Sequence, residues 1–185
     1  MNQTTSHLAE TSPTASSTIY IGLLPSSPIG PIWAAVSELG LVMVDWSMPQ
    51  ADFSSQVGRR FQVDVVYDGP RTAGALHQIS EYLAGDRREF TLPVDLRGMT
   101  LFQSQVLHLT SQIPYGCTST YKAIAVQVGK AHAARAVGRV EATNPIPLVI
   151  PCHRVLGSDG TLHGYGGPGG IKLKAWLLQL EKSLI

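Results

Sequence analysis

The residues with the most chemistry in this chain stand in one short run, Pro151-Cys152-His153-Arg154-Val155. A cysteine is a nucleophile only as its thiolate, and a nearby His⁺, Arg or helix N-terminus lowers the pH at which that ion forms. His153 and Arg154 are such neighbours in sequence. The plainer reading is a buried, inert cysteine, the common fate of a free thiol. Glu181, close to the C-terminus, is either a solvated charge or a carboxylate that orients His153 in a Cys–His–Glu relay. The other cysteine is Cys117, and neither belongs to a CxxC pair. No Cys/His cluster has zinc-ligand spacing, so no metal site is expected. Two cysteines do not make a disulfide framework, although one bridge between them stays open, and this usage fits a reducing compartment.

The segments around the cysteine are equally specific. Pro145, Pro147 and Pro151 predict a stiff, extended backbone through Asn144–Pro151, with Leu148-Val149-Ile150 as a buried, strand-like run. Gly157-Ser158-Asp159-Gly160 reads as a turn. His163-Gly164-Tyr165-Gly166-Gly167-Pro168-Gly169-Gly170 then forms a loop with five glycines. Such a loop can approach a flat ligand through its backbone N–H groups, or serve as a plain linker.

Upstream, two helical stretches flank Gly129. Thr120 is a good N-cap for Tyr121–Val128, and the alanines of Ala131–Val140 favour a second helix. Two short helices about a glycine turn match the helix-turn-helix pattern. Ala131, Ala133, Ala134 and Ala136 leave the second helix slim enough to enter a groove. Arg135 and Arg139, four apart, lie on one side. A thin helix packed on a neighbour, with two solvated arginines, is the competing reading.

These segments need a scaffold. Residues 1–17 are polar and Ser/Thr-rich, and read as a mobile tail rather than a secretory signal. Ile19–Leu24 is a short apolar run before a Pro/Ser/Gly turn. Ile32–Ser37 and Leu41–Trp46 read as a hairpin, and Phe61–Tyr67 as another strand. Thr72–Leu83 has helical spacing and stops at Gly85; Leu92–Leu96 reads as an extended linker. Thr100 caps a helix over Phe102–Ile113, and Ile171–Leu184 is an amphipathic helix with Trp176 in the core. The fold class is an α/β N-terminal domain (18–97) followed by a mainly α domain (98–185). No stretch is long and apolar enough for a membrane span.

Charge is split along the chain. Residues 1–100 carry 6 Lys/Arg against 10 Asp/Glu, a net −4, whereas residues 101–185 carry 8 against 3, a net +5. A basic half on a near-neutral chain suggests a face that meets an anion, with nucleic acid the default candidate.

Together these motifs resemble the 6-O-alkylguanine-DNA alkyltransferases, the suicidal methylated-DNA–protein-cysteine methyltransferases. The matching strings are Phe102-Gln103 with Val106, Ile113-Pro114-Tyr115-Gly116, Thr120-Tyr121, Ala134-Arg135-Ala136-Val137-Gly138, Asn144-Pro145, Ile150-Pro151-Cys152-His153-Arg154-Val155, Gly164-Tyr165-Gly166-Gly167, and Trp176-Leu177-Leu178 with Glu181. They come in family order over about residues 18–182. The resemblance implies an RNase H-like sheet with a helix in the N-terminal domain and a winged-helix-like helix-turn-helix in the C-terminal one. It implies a monomer in the cytoplasm (nucleoid-associated if prokaryotic) that needs no cofactor and binds the minor groove of double-stranded DNA without sequence preference.

The same resemblance assigns roles. Cys152 is the alkyl acceptor, His153 its base through a water, and Glu181 orients His153. Tyr121 crowds a phosphate, helps rotate the base and is the candidate proton donor; Asn144 is a hinge that also bonds the cysteine loop. Arg135 takes the place of the extruded nucleotide, with Ala133, Ala134 and Arg139 at the DNA face. Tyr165, Gly166, Val155 and His163 wall the base pocket. The implied reaction is irreversible, once-per-molecule transfer from 6-O-alkylguanine, with 4-O-alkylthymine as a second candidate substrate, to Cys152.

Some positions depart from the pattern. Arg139-Val140-Glu141-Ala142-Thr143 replaces the usual small residues and Asn/Gly, and it puts the anion of Glu141 near the expected DNA face. The loop after Tyr165 is two residues longer than the pattern, with Pro168-Gly169-Gly170 inserted. His163 and Cys117 stand where a small and a polar residue are usual. Three other readings compete. A lesion sensor of this family would lack the acceptor cysteine. An adaptive-response regulator would need a further cysteine-rich domain. A Cys–His hydrolase would turn over repeatedly.

Overall fold

The structure, a computed structural model, describes residues 18–183. The expected tail, 1–17, and Leu184 lie outside the described residues. β1 (Thr18–Leu24), β2 (Ile32–Ser37) and β3 (Gly40–Trp46) pair antiparallel, and β4 (Asp64–Tyr67) joins β1 in parallel, giving the order β3-β2-β1-β4. The period-2 alternation of strands sends neighbouring residues to opposite faces. Trp33 and Ala35 therefore pack with Ile19 and Ile21 on one side, whereas Ile32 and Ala34 face the other.

The first face is covered by α1 (Gln50–Phe61), a helix that the sequence reading missed. Its apolar stripe is sparse, with only Phe53 and Val57 fully buried. Each contributes roughly 1.5–3 kcal/mol by leaving water, enough to dock the helix. Phe61 ends this helix, so the strand expected over Phe61–Tyr67 is confined to Asp64–Tyr67. Gln62, in the left-handed region at φ 54°, makes the turn between them.

The second face is covered by α2 (Gly69–Ala84). The Asp68 side chain caps it by accepting from Arg71 N–H, and Gly85 stops it at φ 85°. Leu92–Leu96, expected as a linker, does more than connect. Leu41 donates to the Pro93 carbonyl and accepts from Asp95 N–H, both at 2.9 Å, which extends the sheet edge by one bridge.

The second half is helical. α3 (Leu101–Ser111) starts on a reciprocal capping box between Thr100 and Gln103. β5 (Ser119–Thr120) leads into α4 (Tyr121–Gln127), capped by Thr120 as expected. α5 (Ala134–Ala142) begins three residues later than its alanines suggest, because Ala133 N–H closes a turn onto the Lys130 carbonyl at 2.8 Å. A 3-10 turn at Cys152–Arg154 runs into β6 (Val155–Leu156), which pairs with β5 in parallel. α6 (Gly170–Leu180) ends at Glu181, its C-cap, short of the expected limit.

Both halves share one core. Ile32, Val44 and Tyr82 from the first half pack in the same cluster as Val106, Ile124, Val140, Ile146 and Leu177 from the second. Among the described residues no helix is long and apolar enough to cross a membrane.

Candidate active site

Cys152 is held by a turn rather than by the extended run the prolines suggest. Asn144 Oδ1 accepts from Ile146 N–H at 3.0 Å, and its Nδ2 donates to the Ile150 carbonyl at 2.9 Å. Ile150 N–H closes back onto the Ile146 carbonyl at 2.9 Å, and Leu148 takes φ 73°. Local side-chain hydrogen bonds of this kind outcompete extended backbone. The result presents Cys152 at the start of the 3-10 turn with its thiol only 5% exposed.

Beside it, His153 is wholly buried. Its Nε2 lies 2.9 Å from Glu181 Oε1 and 3.2 Å from the Tyr82 hydroxyl. Tyr82 O–H donates to the same carboxylate oxygen at 2.6 Å. Arg154 grips Glu181 bidentately, Nε to Oε2 at 2.9 Å and a terminal nitrogen to Oε1 at 2.8 Å. Burial pushes the Glu181 carboxyl up, but the hydrogen bonds from His153 and Arg154 outweigh it and bring it down to about 2. An ionised Glu181 only accepts, so Nε2 carries the proton. Nδ1 is then left with its lone pair. It is buried and has no hydrogen-bond partner among the described residues. Nδ1 is thus able to accept a proton. Burial also lowers the His153 pKa, so the resting ring is neutral.

The resting thiol is neutral as well. Burial, then the carboxylate of Glu141, push Cys152 up to about 12, while Asn144, Tyr165 and Lys174 favour the thiolate. Among the described residues no direct hydrogen bond joins His153 and Cys152.

The expected pocket residues divide between two spaces. Cys152, Asn144, Tyr165 and Gly166 line a cavity of ≈ 270 Å³ between the halves, walled on the far side by Trp46. Tyr121, Ala134, Arg135, His163, Tyr165 and Gly166 line an outer groove of ≈ 550 Å³. Tyr165 and Gly166 border both, so the glycine-rich loop is the partition. Gly166 is required there, since a Cβ would collide with the Ala142 carbonyl, and one at Gly167 would strike the Trp46 ring. Trp46 Nε1 also donates to the Pro168 carbonyl at 3.1 Å, which ties the inserted segment to the N-terminal half. His163 is exposed at φ 49°, with Nε2 2.9 Å from Thr161 Oγ1 and its ring edge-on to Tyr121.

Arg135 is exposed above the groove, whereas Arg139, Ala133 and Val155 line neither space. Val155 is fully buried core, and its contribution is a carbonyl that accepts from Lys174 Nζ at 2.7 Å. Glu141 is a correction: it is not on the outer face. It is 5% exposed, and its Oε1 accepts from Thr110 Oγ1 at 2.6 Å. Position 141 falls on the inward stripe of α5 with Val137 and Val140, and that spacing was visible in the sequence. Cys117 is exposed, free and distant in role.

Tyr82 and Lys174 are the site groups that sequence reasoning passed over, and Arg154, read there as a neighbour that favours the thiolate, is spent on Glu181 instead. Tyr82 read as one more apolar position on α2. Lys174 is fully buried on α6 and bonds the carbonyls of Val155 and Leu162, both at 2.7 Å, and the Tyr121 hydroxyl at 3.3 Å. Burial lowers it to about 8 and raises Tyr121 to about 12. Among the described residues no cluster of His, Cys, Asp and Glu could hold a metal.

Comparison with known proteins places this arrangement. Residues 19–96 match the profile described as 6-O-methylguanine DNA methyltransferase, ribonuclease-like domain, and residues 101–183 match the DNA binding domain of the same enzyme. A methylated-DNA–protein-cysteine methyltransferase of Mycobacterium tuberculosis is 42% identical over 157 residues, 85% of this chain and 89% of its own. One from Methanosarcina barkeri is 40% identical over 85% of this chain and 94% of its own. The crystal structure of Mycobacterium tuberculosis OGT in complex with DNA superposes with a TM-score of 0.73 at 39% identity, covering 89% of this chain and 92% of that one. A ribonuclease-like half and a helical DNA-binding half thus stand together in one chain, and the chain belongs to the 6-O-methylguanine DNA methyltransferase family.

Proposed function

We propose that this chain repairs alkylated DNA directly, with Cys152 as an acceptor used once. The observation that carries the reading is the tautomer of His153, whose Nδ1 is buried at the thiol turn without a hydrogen-bond partner among the described residues. In the step, the thiol proton passes to Nδ1, directly or through one water. The sulfur attacks the alkyl carbon of 6-O-alkylguanine, an S–C bond forms and the C–O bond breaks. Guanine leaves with a proton, for which the Tyr121 hydroxyl is the candidate donor. The Glu181 carboxylate, held in place by Tyr82 and Arg154, stabilises the imidazolium that forms. The product is a thioether, which no group in the site can cleave, so each molecule reacts once. The same pocket would accept 4-O-alkylthymine by the same displacement.

The base must leave the duplex to reach the sulfur, at a cost of about a few kcal/mol. We read α4 and α5, joined through Gly129, as a winged-helix-like helix-turn-helix with α5 at the minor groove. Arg135, exposed above the outer groove, would fill the gap that the base leaves, and Ala133 and Ala134 would keep the helix thin. Minor-groove contact tolerates any sequence, as general repair requires. Asn144 holds the acceptor turn, and Tyr165 and Gly166 form the movable wall between groove and cavity.

The test is stoichiometry on duplex carrying 6-O-methylguanine. One methyl per protein, located on the Cys152 peptide and abolished by Cys152→Ala, is expected. Repeated turnover, or DNA binding with no methyl transferred, would overturn the reading. Arg135→Ala should slow repair of duplex more than reaction with the free base, and equal losses would remove Arg135 from base extrusion.

A further inference from the structure

Glu141 stands outside the relay, yet it shares a wall with the acceptor. It lines the same cavity as Cys152, Asn144 and Tyr165. Its Oε1 is held by Thr110, while Oε2 is buried and has no hydrogen-bond partner among the described residues. An ionised carboxylate with only one of its oxygens hydrogen-bonded by protein is costly to bury, so Glu141 is close to changing its charge state. Lys174, the nearest buried cation, spends its three N–H groups on Val155, Leu162 and Tyr121, and makes no ion pair with Glu141.

We propose that Glu141 is a charge brake on the acceptor thiol: a positioning residue whose carboxylate, when ionised, holds Cys152 protonated, and whose neutral form releases it. The proposal rests on Cys152 as the alkyl acceptor. The two groups compete for one negative charge. Whichever ionises first raises the pKa of the other, and their protons come off as a coupled pair.

The surroundings give the order. Burial pushes Glu141 up to about 7, against the opposing Thr110 hydrogen bond and the Lys174 charge. Cys152, at about 12, ionises after it, and the Glu141 charge is the second cause of that elevation after burial. The groups facing Glu141 are Thr110 from α3, which does not titrate, Tyr121 from α4, Lys174 from α6 and Cys152 itself. Asp45 and Arg60 close the far side of the cavity. Of these, Lys174 loses charge near pH 8, which strengthens the brake as pH rises.

The consequence is a thiol that gains less from alkaline pH than an isolated one would. The test is the pH profile of Cys152 alkylation by iodoacetamide in the full chain, read on the Cys152 peptide by mass spectrometry so that Cys117 is scored separately. Beside it runs single-turnover methyl transfer. Glu141→Gln keeps an acceptor for Thr110 and removes the charge. Its alkylation midpoint should fall by about one pH unit. The weaker intrinsic nucleophilicity of a less basic thiolate halves that gain on a logarithmic scale, so the rate at pH 8 should rise roughly three-fold. Methyl transfer should move the same way, with the gap from wild type widening between pH 6 and pH 9. Thr110→Val, a near-isosteric change, removes the bond that favours the Glu141 anion, so the pH at which the brake engages should move up.

Glu141→Gln with an unchanged midpoint, or with slower transfer at every pH, would overturn the proposal; the latter would make the carboxylate a proton acceptor instead. The iodoacetamide profile needs no DNA. A missing methyl on Cys152 would therefore fail the acceptor reading without deciding the brake.

Discussion

Two buried carboxylates flank the acceptor turn, and they have opposite chemistry. Glu181 is 2% exposed and Glu141 is 5% exposed, so burial does not separate them. Donors do. Glu181 receives His153, Tyr82 and both faces of Arg154, and sits at about 2. Glu141 receives one hydroxyl, keeps a bare oxygen, and sits at about 7. Desolvation sets the starting penalty and hydrogen bonds to the anion decide the sign. On the Glu181 side the protein fixes a charge in order to fix a tautomer. On the Glu141 side it leaves a charge unresolved.

The comparison breaks most visibly at Glu181. Glu181→Ala leaves Arg154 buried without its partner, which should destabilise the fold by about 3–5 kcal/mol. It also frees the His153 tautomer, so methyl transfer should be lost along with stability. Denaturant unfolding and single-turnover transfer check both. A variant that loses less than ~1 kcal/mol would mean that the Glu181 nest is not the anchor described. In wild type, the Glu181 contribution is present above its ordinary pKa of 4.5 and lost as pH falls toward about 2.

Glu141 should behave in mirror image. Its folded pKa is raised from 4.5 to about 7, so the native state holds a proton that the unfolded state has released across that window. Stability contributed by the neutral carboxyl is complete below 4.5 and declines as pH rises through about 7. The full difference is on the order of 3 kcal/mol, the linkage equivalent of that shift. Glu141→Gln should therefore gain little over wild type at pH 5 and about 2–3 kcal/mol at pH 8. Equal stability differences at the two pH values would show that Glu141 does not titrate in this range.

Sequence showed one side of this comparison and hid the other. Cys152, His153 and Glu181 form a recognisable set because their types alone suggest a relay. The caps at Thr100 and Thr120 and the β2–β3 hairpin were legible because local rules govern them. α1 was not, since two buried residues, Phe53 and Val57, carry its docking and the sheet supplies the rest. The Asn144–Pro151 turn was misjudged because a single asparagine, through two hydrogen bonds, overrides what three prolines suggest. Glu141 was misplaced because a charged residue was assigned to a solvent face by type, although its spacing with Val137 and Val140 pointed inward.

Tyr82 sharpens the comparison at its finest grain. It comes from α2, in the other half of the chain, yet its hydroxyl donates to Glu181 Oε1 at 2.6 Å and stands 3.2 Å from His153 Nε2. The N-terminal half thus contributes one donor to the nest that fixes the histidine. Burial and the Glu181 charge push the Tyr82 pKa well up, so it stays a donor throughout the working range. Tyr82→Phe keeps the ring against Phe90 and Tyr115 and deletes only that donor. Since His153 and Arg154 still hold Glu181, the loss should be about 1.5 kcal/mol, the low end for a bond to a charged group. Methyl transfer should slow several-fold at pH 7. The acid limb of its pH profile should also shift, because the carboxylate that sets the His153 tautomer has lost one of its donors. A stability loss with an unshifted profile would limit the Tyr82 hydroxyl to holding the fold, with no part in the transfer step.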